Sequence, residues 1–499
     1  MFFYYILLLI SHIGLIWLLP YVPTQDGPSH IYNLVILQDL LNGGKEWGKF
    51  FIYQLRAVPN LGFILLVYPL LHFFPPLVVE KIFLSIYIVL MGVSVPLFLR
   101  TFEKPAFPLS YCVFPVIFNY TLLMGFYSYI VTIPLFLLAF SFAWKIRHRS
   151  ATCKLVCLNI IGFILFYFHL IPFVFFLLSL IIATVVESTG YRKKVYKLSK
   201  LLLILSPSII NFFFYLKSGT TNSIPNFSYL LSPFRFVRLI TELFFFSSVN
   251  FLPWQILPAS LFTYLIISLG FYSAKDLNKN KLQGNNIVLS EKTIIYLSSV
   301  LILIYLFAPL SIGDGWYFNP RFPWVILLIS LPLLRLPQKL ASKRIVSIAI
   351  PGIVSIFFVF NTVILWQQSA KVEKFLTGLH AGLPKGALVM TYKPKLPKWT
   401  TVDVLLHTAS YYGIFAGCVD AGNYEANTYF FPVHFNKSMP AIPPDLQISY
   451  KAHTINWENY PAIQYLLGWE VDNRERQVLS KYFYVIWEKD EFSIWQRRA

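Results

Sequence analysis

The residues best placed to do chemistry lie in a short polar stretch, residues 25–33, that follows the first apolar run of the chain. Asp26 is held there by a turn at Gly27 and Pro28, close to the end of that run. Partial loss of hydration makes a carboxylate more basic, which suits a general base that deprotonates a hydroxyl, or a ligand of a divalent cation. His30 falls on the same face if a helix begins at Pro28 or Ser29. The alternative is that Asp26 only caps this helix.

Arg56, Arg321, Asp314 and His169 are the other candidate site residues, and all four occur between apolar runs. An arginine fork can pair with a substrate phosphate, although either arginine would also reach lipid phosphates. Asp314, between two glycines, would orient Arg321 or contact a sugar, unless it is simply a turn residue. His169, at a turn between two short runs, would touch substrate or only hydrogen-bond the backbone.

The elements that must position these residues are strongly apolar. Hydrophobic residues occupy 57% of the 499 positions and charged residues only 13%, and the mean hydropathy is +0.62. Apolar runs of roughly 15 to 23 residues recur up to position 366, as bilayer-spanning helices require. The expected fold class is therefore an all-α polytopic membrane protein.

Twelve apolar runs are candidates for membrane spans, and some of them are short. The first has no basic segment before it and no small-residue cleavage site, which indicates a retained anchor rather than a removed signal peptide. The runs are residues 1–20, 61–74, 81–99, 107–123, 127–144, 155–167, 170–186, 201–216, 251–271, 293–310, 322–336 and 345–366.

The lysines and arginines between the runs predict the orientation of the chain. Four basic segments hold seventeen of them, and three other segments hold seven. By the positive-inside rule the basic segments are cytoplasmic and the other three face outward. The last run then leads outward, so the tail should be extracytoplasmic. The basic segments are residues 145–154, 192–200, 275–292 and 335–344, and the outward segments are 21–60, 217–250 and 312–321.

One conflict arises between external residue 60 and cytoplasmic residue 145. An odd number of crossings must connect them, yet four apolar runs lie in this part of the chain. We expect one of the four, residues 107–123, to be short or re-entrant. The expected total is then eleven spans.

The tail has a different pattern, and its length suffices for a small α/β domain. Alternating aromatic and polar residues around a turn near its end predict a closing β-hairpin. We therefore divide the chain into a membrane domain, residues 1–367 with a first external loop at 21–60, and an extracytoplasmic α/β domain, residues 368–499. The elements expected in the tail are helices at 371–380, 402–412 and 460–467, a strand at 387–392, and hairpin strands at 482–487 and 492–495.

Several classes of function find no support in the sequence. The net charge of +19 is spread over short loops and forms no basic face, so nucleic acid is not an expected partner. The four cysteines form neither a disulfide framework nor a thiolate metal cage. No glycine-rich phosphate loop indicates nucleotide hydrolysis.

The arrangement of the whole chain resembles the GT-C class of integral-membrane glycosyltransferases. These enzymes also have a first span, an external loop with an early Asp, further spans and a C-terminal α/β domain. Local segments are similar as well: residues 56–60 resemble the Pro-bearing end of the first loop in bacterial members. Residues 119–134 resemble their mid-chain Gly-aromatic turn, and residues 319–322 their late Arg-aromatic motif.

This resemblance implies transfer of a sugar from a polyprenyl-phosphate donor to a lipid-linked glycan or protein acceptor, at the outer face of a bacterial plasma membrane. It implies Asp26 as the catalytic base and direct displacement with inversion, with Arg56 and Arg321 at the leaving phosphate. Many members have a second acidic residue in the motif, whereas this chain has Gln25. A divalent cation, Mg²⁺ or Mn²⁺, held in part by Asp26, therefore stays an open alternative to a metal-free site.

Two other classes of function remain. A transporter, flippase or polymerase of lipid-linked saccharides would also cross the membrane many times, but it should show two related halves with interrupted helices. A non-catalytic membrane scaffold would use the tail and would have no need of Asp26. The glycosyltransferase is the function we favour from the sequence.

Overall fold

A computed structural model shows a bundle of apolar helices followed by a smaller part built on a sheet. It describes residues 1–217, 233–282, 288–311, 316–337, 339–395, 400–428, 431–437, 439 and 452–498. The expected fold class, a helical polytopic membrane protein with a small C-terminal α/β part, is confirmed.

The helices of the first part reflect the apolar runs. In the described residues they are α1 (Phe2–Leu18), α2 (Gly27–Leu41), α3 (Gly62–Val67), α4 (Pro76–Thr101), α5 (Tyr120–Leu123), α6 (Tyr127–Ile146), α7 (Ala151–Phe168), α8 (Leu170–Glu187), α9 (Tyr191–Ile204), α10 (Ser206–Lys217), α11 (Pro233–Phe244), α12 (Ile256–Leu282), α13 (Leu289–Phe307), α14 (Pro323–Ser330) and α15 (Leu340–Leu376). Short 3₁₀-helices lie at Trp47–Lys49, Tyr68–His72, Leu109–Val116, Asn319–Arg321 and Leu331–Leu333.

Seven of the helices in the described residues are long and apolar enough to cross a membrane. An eighth span is formed if α9 and α10, which meet at an angle of 68°, cross together. Three shorter apolar helical segments, Phe2–Leu18, Gly62–His72 and Leu109–Leu123, add to these. The expected total of eleven spans therefore stays a prediction.

Contacts at the ends of the helices show which run between residues 60 and 145 stays at one end of the bundle. Near the start of α4, Lys81 donates a hydrogen bond to the Leu19 carbonyl, just after α1, at 2.6 Å. Near the start of α6, Ser128 donates to the Asn60 carbonyl at 3.0 Å. These groups lie at the same end of the bundle, so residues 61–74 begin and finish at that end.

Residues 109–123, by contrast, connect the two ends of the bundle. Tyr111 donates to the carbonyl of Met1, at the start of α1, whereas the Leu123 carbonyl accepts from the Gln25 amide, beyond the end of α1, at 2.8 Å. A 3₁₀-helix rises about 2.0 Å per residue, so Leu109–Val116 covers more distance than an α-helix of equal length. The run 107–123 is short, as expected, with Leu109–Leu123 among the shorter apolar helical segments, but the run that stays at one end of the bundle is residues 61–74.

The C-terminal part is built around a five-stranded sheet. Its elements are β2 (Leu388–Tyr392), α16 (Ala409–Ala416), β3 (Val419–Asp420), β4 (Val433–Phe435), β5 (Tyr465–Trp469), α17 (Asn473–Leu479), β6 (Phe483–Lys489) and β7 (Phe492–Arg497), with 3₁₀-helices at Thr377–Ala381, Tyr424–Asn427, Ala452–Thr454 and Trp457–Asn459. The strand order in the sheet is β3-β2-β5-β7-β6. Strand β2 is parallel to β3 and β5, and β7 is antiparallel to β5 and β6.

The strand expected at 387–392 and the closing hairpin are confirmed. The helix expected at 460–467 is wrong, because Tyr465–Trp469 is a strand that is buried at every position. Such a run has no periodicity that separates a strand from a helix. The helix expected at 371–380 is the end of α15, a helix of 37 residues that also includes the last apolar run. The helix expected at 402–412 begins only at Ala409.

The first loop packs directly on the C-terminal part. Strand β1 (Phe51–Tyr53), which follows α2, pairs antiparallel with β4. In α16, Gly413 lies so close to Tyr32 of α2 that a Cβ atom there would be 2.2 Å from the ring. The Tyr32 hydroxyl donates to the Cys418 carbonyl at 3.2 Å. The two segments therefore share one buried interface at one end of the helical bundle.

This arrangement predicts the accessibility of single cysteines placed in a variant whose four native cysteines are serine. Lys49→Cys in the first loop and Lys385→Cys in the C-terminal part should react with a membrane-impermeant maleimide in intact spheroplasts. Lys193→Cys, in the basic segment of α9, should react only after permeabilisation. Labelling of Lys193→Cys in intact cells, with Lys385→Cys protected, would contradict the predicted orientation.

Candidate active site

Asp26 occupies the position just before α2, but its side chain does not cap the helix. Its backbone amide donates to the Met124 carbonyl at 3.1 Å, and its carboxylate is turned toward the C-terminal part. Tyr424 donates to Oδ2 at 3.2 Å, Gln25 Nε2 donates to Oδ1 at 3.3 Å, and His407 Nε2 lies 3.5 Å from Oδ1. The interpretation of Asp26 as a mere helix cap is therefore wrong.

Burial sets the basicity of this carboxylate. Only 5% of Asp26 is exposed, and burial raises its pKa from 3.8 to about 7. The charge of Glu425 raises this pKa further, while His30 and the hydrogen bonds from Gln25 and Tyr424 lower it. A carboxylate with a pKa near neutrality exchanges a proton readily at the pH at which cells work.

His30, one turn further along α2, contacts a carboxylate of the C-terminal part. Its Nδ1 lies 2.6 Å from Glu425 Oε1, and its Nε2 lies 2.8 Å from the Gly125 carbonyl. Because a carbonyl only accepts, Nε2 carries a proton. Burial lowers the pKa of His30, but Glu425, Asp26 and the Gly125 carbonyl raise it, and the net pKa is above the ordinary value. The Glu425 carboxylate beside Nδ1 therefore stabilises the protonated imidazole relative to the neutral one.

The polar face of α2 continues this contact with the C-terminal part. Asn33 Nδ2 donates to Asn423 Oδ1 at 2.9 Å and to Glu425 Oε2 at 2.8 Å. Asn423 Nδ2 donates back to Asn33 Oδ1 at 2.9 Å. Asp26, His30 and Asn33 are spaced by four and three residues, so they lie along one side of the helix. All three meet the short segment 423–425.

His407 adds a neutral imidazole to the other side of Asp26. Burial, together with the positive charges of Lys393 and His30, lowers its pKa to about 3. Its ring packs against Tyr424 with centroids 4.9 Å apart. His407 therefore places a neutral imidazole 3.5 Å from Asp26 without adding a charge.

Arg321 provides a cation near this group. Its guanidinium stacks on Phe126 at 4.2 Å and lies 5.2 Å from the ring of Tyr129. Its Nε and Nη2 donate to the carbonyls of Tyr317 and Trp316 at 3.2 and 3.3 Å. Within the part of the chain that the structure describes, no carboxylate forms an ion pair with it. Burial lowers its pKa to about 10, which leaves it charged at neutral pH.

The remaining predicted residues have different positions. His169 is brought to Arg321, whose Nη1 donates to His169 Nε2 at 3.1 Å, and burial and Arg321 lower the pKa of His169 well below its usual value. Arg56 lies beside the β1–β4 ribbon and donates to Gln54 at 2.5 Å. Asp314 lies outside the described residues. Direct contact of any of these residues with substrate stays a prediction.

A metal site is not formed by the described residues alone. Among them, no group of three or more His, Cys, Asp or Glu side chains is arranged to hold a metal ion. The partners of Asp26 on most sides are neutral or cationic, and such groups do not complete the coordination shell of Mg²⁺ or Mn²⁺. Metal dependence stays a prediction to be tested.

Sequence reasoning missed the half of the site that comes from the C-terminal part. Tyr424, Glu425 and His407 are about 400 residues from Asp26 in the chain, and no spacing rule connects them. The available signal was Glu425, an acidic residue inside an apolar and aromatic segment that follows β3. Gln25 was interpreted as a missing acid, although its amide contacts Asp26.

Neither a protein-family model nor a curated protein matches this sequence. In fold, the chain is similar to the crystal structure of ArnT from Cupriavidus metallidurans bound to undecaprenyl phosphate. The similarity covers 99% of this chain and 98% of that chain, with a TM-score of 0.49 and 10% sequence identity. The likeness is one of overall architecture, so function has to be argued from the site itself.

The raised pKa of Asp26 predicts a pH-dependent stability difference between the wild type and Asp26→Asn. The unfolded chain loses this proton near pH 3.8 and the folded chain near pH 7, so wild-type stability falls as pH rises through this interval. Above pH 7 the ionised carboxylate costs up to about 4 kcal/mol. The apparent melting temperature of Asp26→Asn relative to wild type should therefore increase from pH 5 to pH 8, as measured by intrinsic fluorescence in lipid nanodiscs.

Asp39→Asn is the matched control, because Asp39 lies on the same helix and outside this group of residues. Its melting temperature relative to wild type should not follow the Asp26→Asn curve. A difference between Asp26→Asn and wild type that is constant across this pH range would show that the Asp26 pKa is not raised.

Proposed function

We propose that this chain is a GT-C-type membrane glycosyltransferase that transfers a sugar from a polyprenyl-phosphate donor to a hydroxyl of a lipid-linked glycan or a protein. The observation that carries the proposal is the state of Asp26. It is a buried carboxylate, it does not cap its helix, and its pKa is near 7. Such a group serves as a general base, which neither a scaffold nor a simple carrier needs.

The cation near the base supports phosphate as the leaving group. Arg321 is charged and partly buried, and no carboxylate of the described residues neutralises it. A guanidinium fork matches the oxygens of a phosphate. Arg321 stacks on Phe126, and the carbonyl of the preceding residue, Gly125, accepts from His30. The base and the cation therefore lie on either side of the same turn.

The proposed reaction is a single displacement. Asp26 takes the proton of the acceptor hydroxyl, and the oxygen attacks the anomeric carbon of the sugar. The bond from that carbon to the phosphate oxygen breaks, and the electron pair leaves with the polyprenyl phosphate. Arg321 offsets the negative charge that grows on the phosphate. Attack from the opposite side inverts the configuration at the anomeric carbon.

The position of the site favours substrates that are held by the membrane. Asp26 lies in the segment that follows α1, and α4, which is long and apolar enough to cross a membrane, begins at the same end of the bundle. A polyprenyl chain in the bilayer would present its phosphate at this level. We propose that the reaction takes place at the outer surface of a bacterial plasma membrane.

Sugar transfer by the purified protein in nanodiscs tests this proposal. The donors are a panel of radiolabelled polyprenyl-phosphate sugars, and the acceptors are cell-envelope lipids and membrane proteins. Asp26→Asn should lower kcat at least about 100-fold, because general-base catalysis typically contributes that much. Asp39→Asn, the matched carboxylate on α2, should retain wild-type transfer. Equal activity of Asp26→Asn and wild type would remove Asp26 from the mechanism.

The pH dependence of transfer gives a separate prediction. Because the base must be ionised and its pKa is about 7, kcat/KM should fall below pH 7, by tenfold per pH unit at the acid end. The measurement is initial rate at low donor concentration from pH 5 to pH 8.5, with donor stability checked at each pH. A profile that is flat through this range would assign the proton transfer to another group.

A further inference from the structure

Gln25 connects Asp26 to the C-terminal part through both ends of its amide. Gln25 Oε1 accepts from the Asp403 backbone N–H at 3.1 Å. Because a backbone N–H can only donate, this bond identifies the oxygen end of the amide. The nitrogen end is therefore the one that faces Asp26 Oδ1, at 3.3 Å.

The partner of Gln25 is itself held firmly. The Asp403 carboxylate forms an ion pair with Lys393, and it accepts from the Leu405 backbone N–H at 3.1 Å. Lys393 follows β2 in the chain and is only 5% exposed. The amide of Gln25 is thus oriented by the fold of the C-terminal part rather than by the first loop.

We propose that Gln25 is a positioning residue, which orients Asp26 through its amide nitrogen and takes its own orientation from Asp403. The proposal rests on the proposed function, in which Asp26 is the base. It assigns a role to Gln25, which stands beside Asp26 where the resembled class often has a second acid, and it makes the geometry of the base depend on the C-terminal part.

The surroundings of Asp26 define what a change at position 25 would do. His30 faces it from α2, Tyr424, His407 and Glu425 face it from the C-terminal part, and the charge of Arg321 lies nearby. Gln25 contributes a neutral donor to this set. A carboxylate at position 25 would keep the bond from the Asp403 N–H but would bring a second negative charge next to Oδ1. Like charges at this distance disfavour ionisation.

Two variants of the full-length protein separate positioning from simple packing. Gln25→Glu keeps the length of the side chain and the hydrogen bond from Asp403. The fall in kcat/KM at low pH should then begin roughly 1 to 3 pH units higher, and activity should recover at high pH. Gln25→Met keeps the length but removes both hydrogen bonds, so it should lower kcat about tenfold while the KM for donor changes less than about twofold. A purely structural role would lower the melting temperature of both variants without moving the pH profile.

A second measurement tests the proposal without relying on sugar transfer. The stability difference between a variant and its Asp26→Asn counterpart grows with pH only up to the folded-state pKa of Asp26, so the pH at which this difference levels off reports that pKa. That pH should be higher in the Gln25→Glu background than in the wild type. An unchanged levelling-off pH in Gln25→Glu, or wild-type kcat in Gln25→Met, would overturn the proposal. If Asp26→Asn transfers sugar normally while the levelling-off pH moves in Gln25→Glu, the contact between Gln25 and Asp26 stands and the proposed catalytic function fails.

Discussion

The site depends on one buried polar contact, between the face of α2 and the segment 423–425. Asn33 and Asn423 exchange hydrogen bonds, and Asn33 also donates to Glu425. Leaving such groups buried without partners costs about 1 to 3 kcal/mol each. These groups are paired with each other only when the first loop and the C-terminal part meet. Their docking therefore has a strong polar constraint in addition to the apolar packing around Tyr32.

The same docking creates the basicity of Asp26. Covering the carboxylate with the C-terminal part removes water and raises its pKa, and the neighbouring cationic His30 limits the rise. Glu425 stabilises the cationic form of His30, so its charge acts on Asp26 both directly and through His30. A single exposed loop could not produce this balance. The C-terminal part is thus needed for the chemistry of the first loop as well as for its position.

The sequence predicted the local half of this arrangement. Asp26 and His30 were found from their spacing. The lysine and arginine pattern required an odd number of crossings between residues 60 and 145, so one of the four runs there had to stay at one end of the bundle, as residues 61–74 do. Hydropathy could not tell which of these runs stays at one end of the bundle, because it carries no information on the extended 3₁₀ segment Leu109–Val116. It also could not separate a buried strand at Tyr465–Trp469 from a helix. Tyr424, Glu425 and His407 depend on contacts between distant segments, which no local rule describes.

The turn at Gly125 connects the base to the cation. Gly125 has φ of +87°, and a Cβ atom there would lie 2.8 Å from the Gly27 amide nitrogen and 3.0 Å from the Asp26 Cβ. Glycine at this position therefore allows both the positive φ and the close approach of Asp26 and Gly27. Its carbonyl binds His30, and the next residue, Phe126, supports Arg321. A side chain at position 125 would push α2 away from the turn, so the separation between Asp26 and Arg321 is set by backbone packing rather than by the length of either side chain.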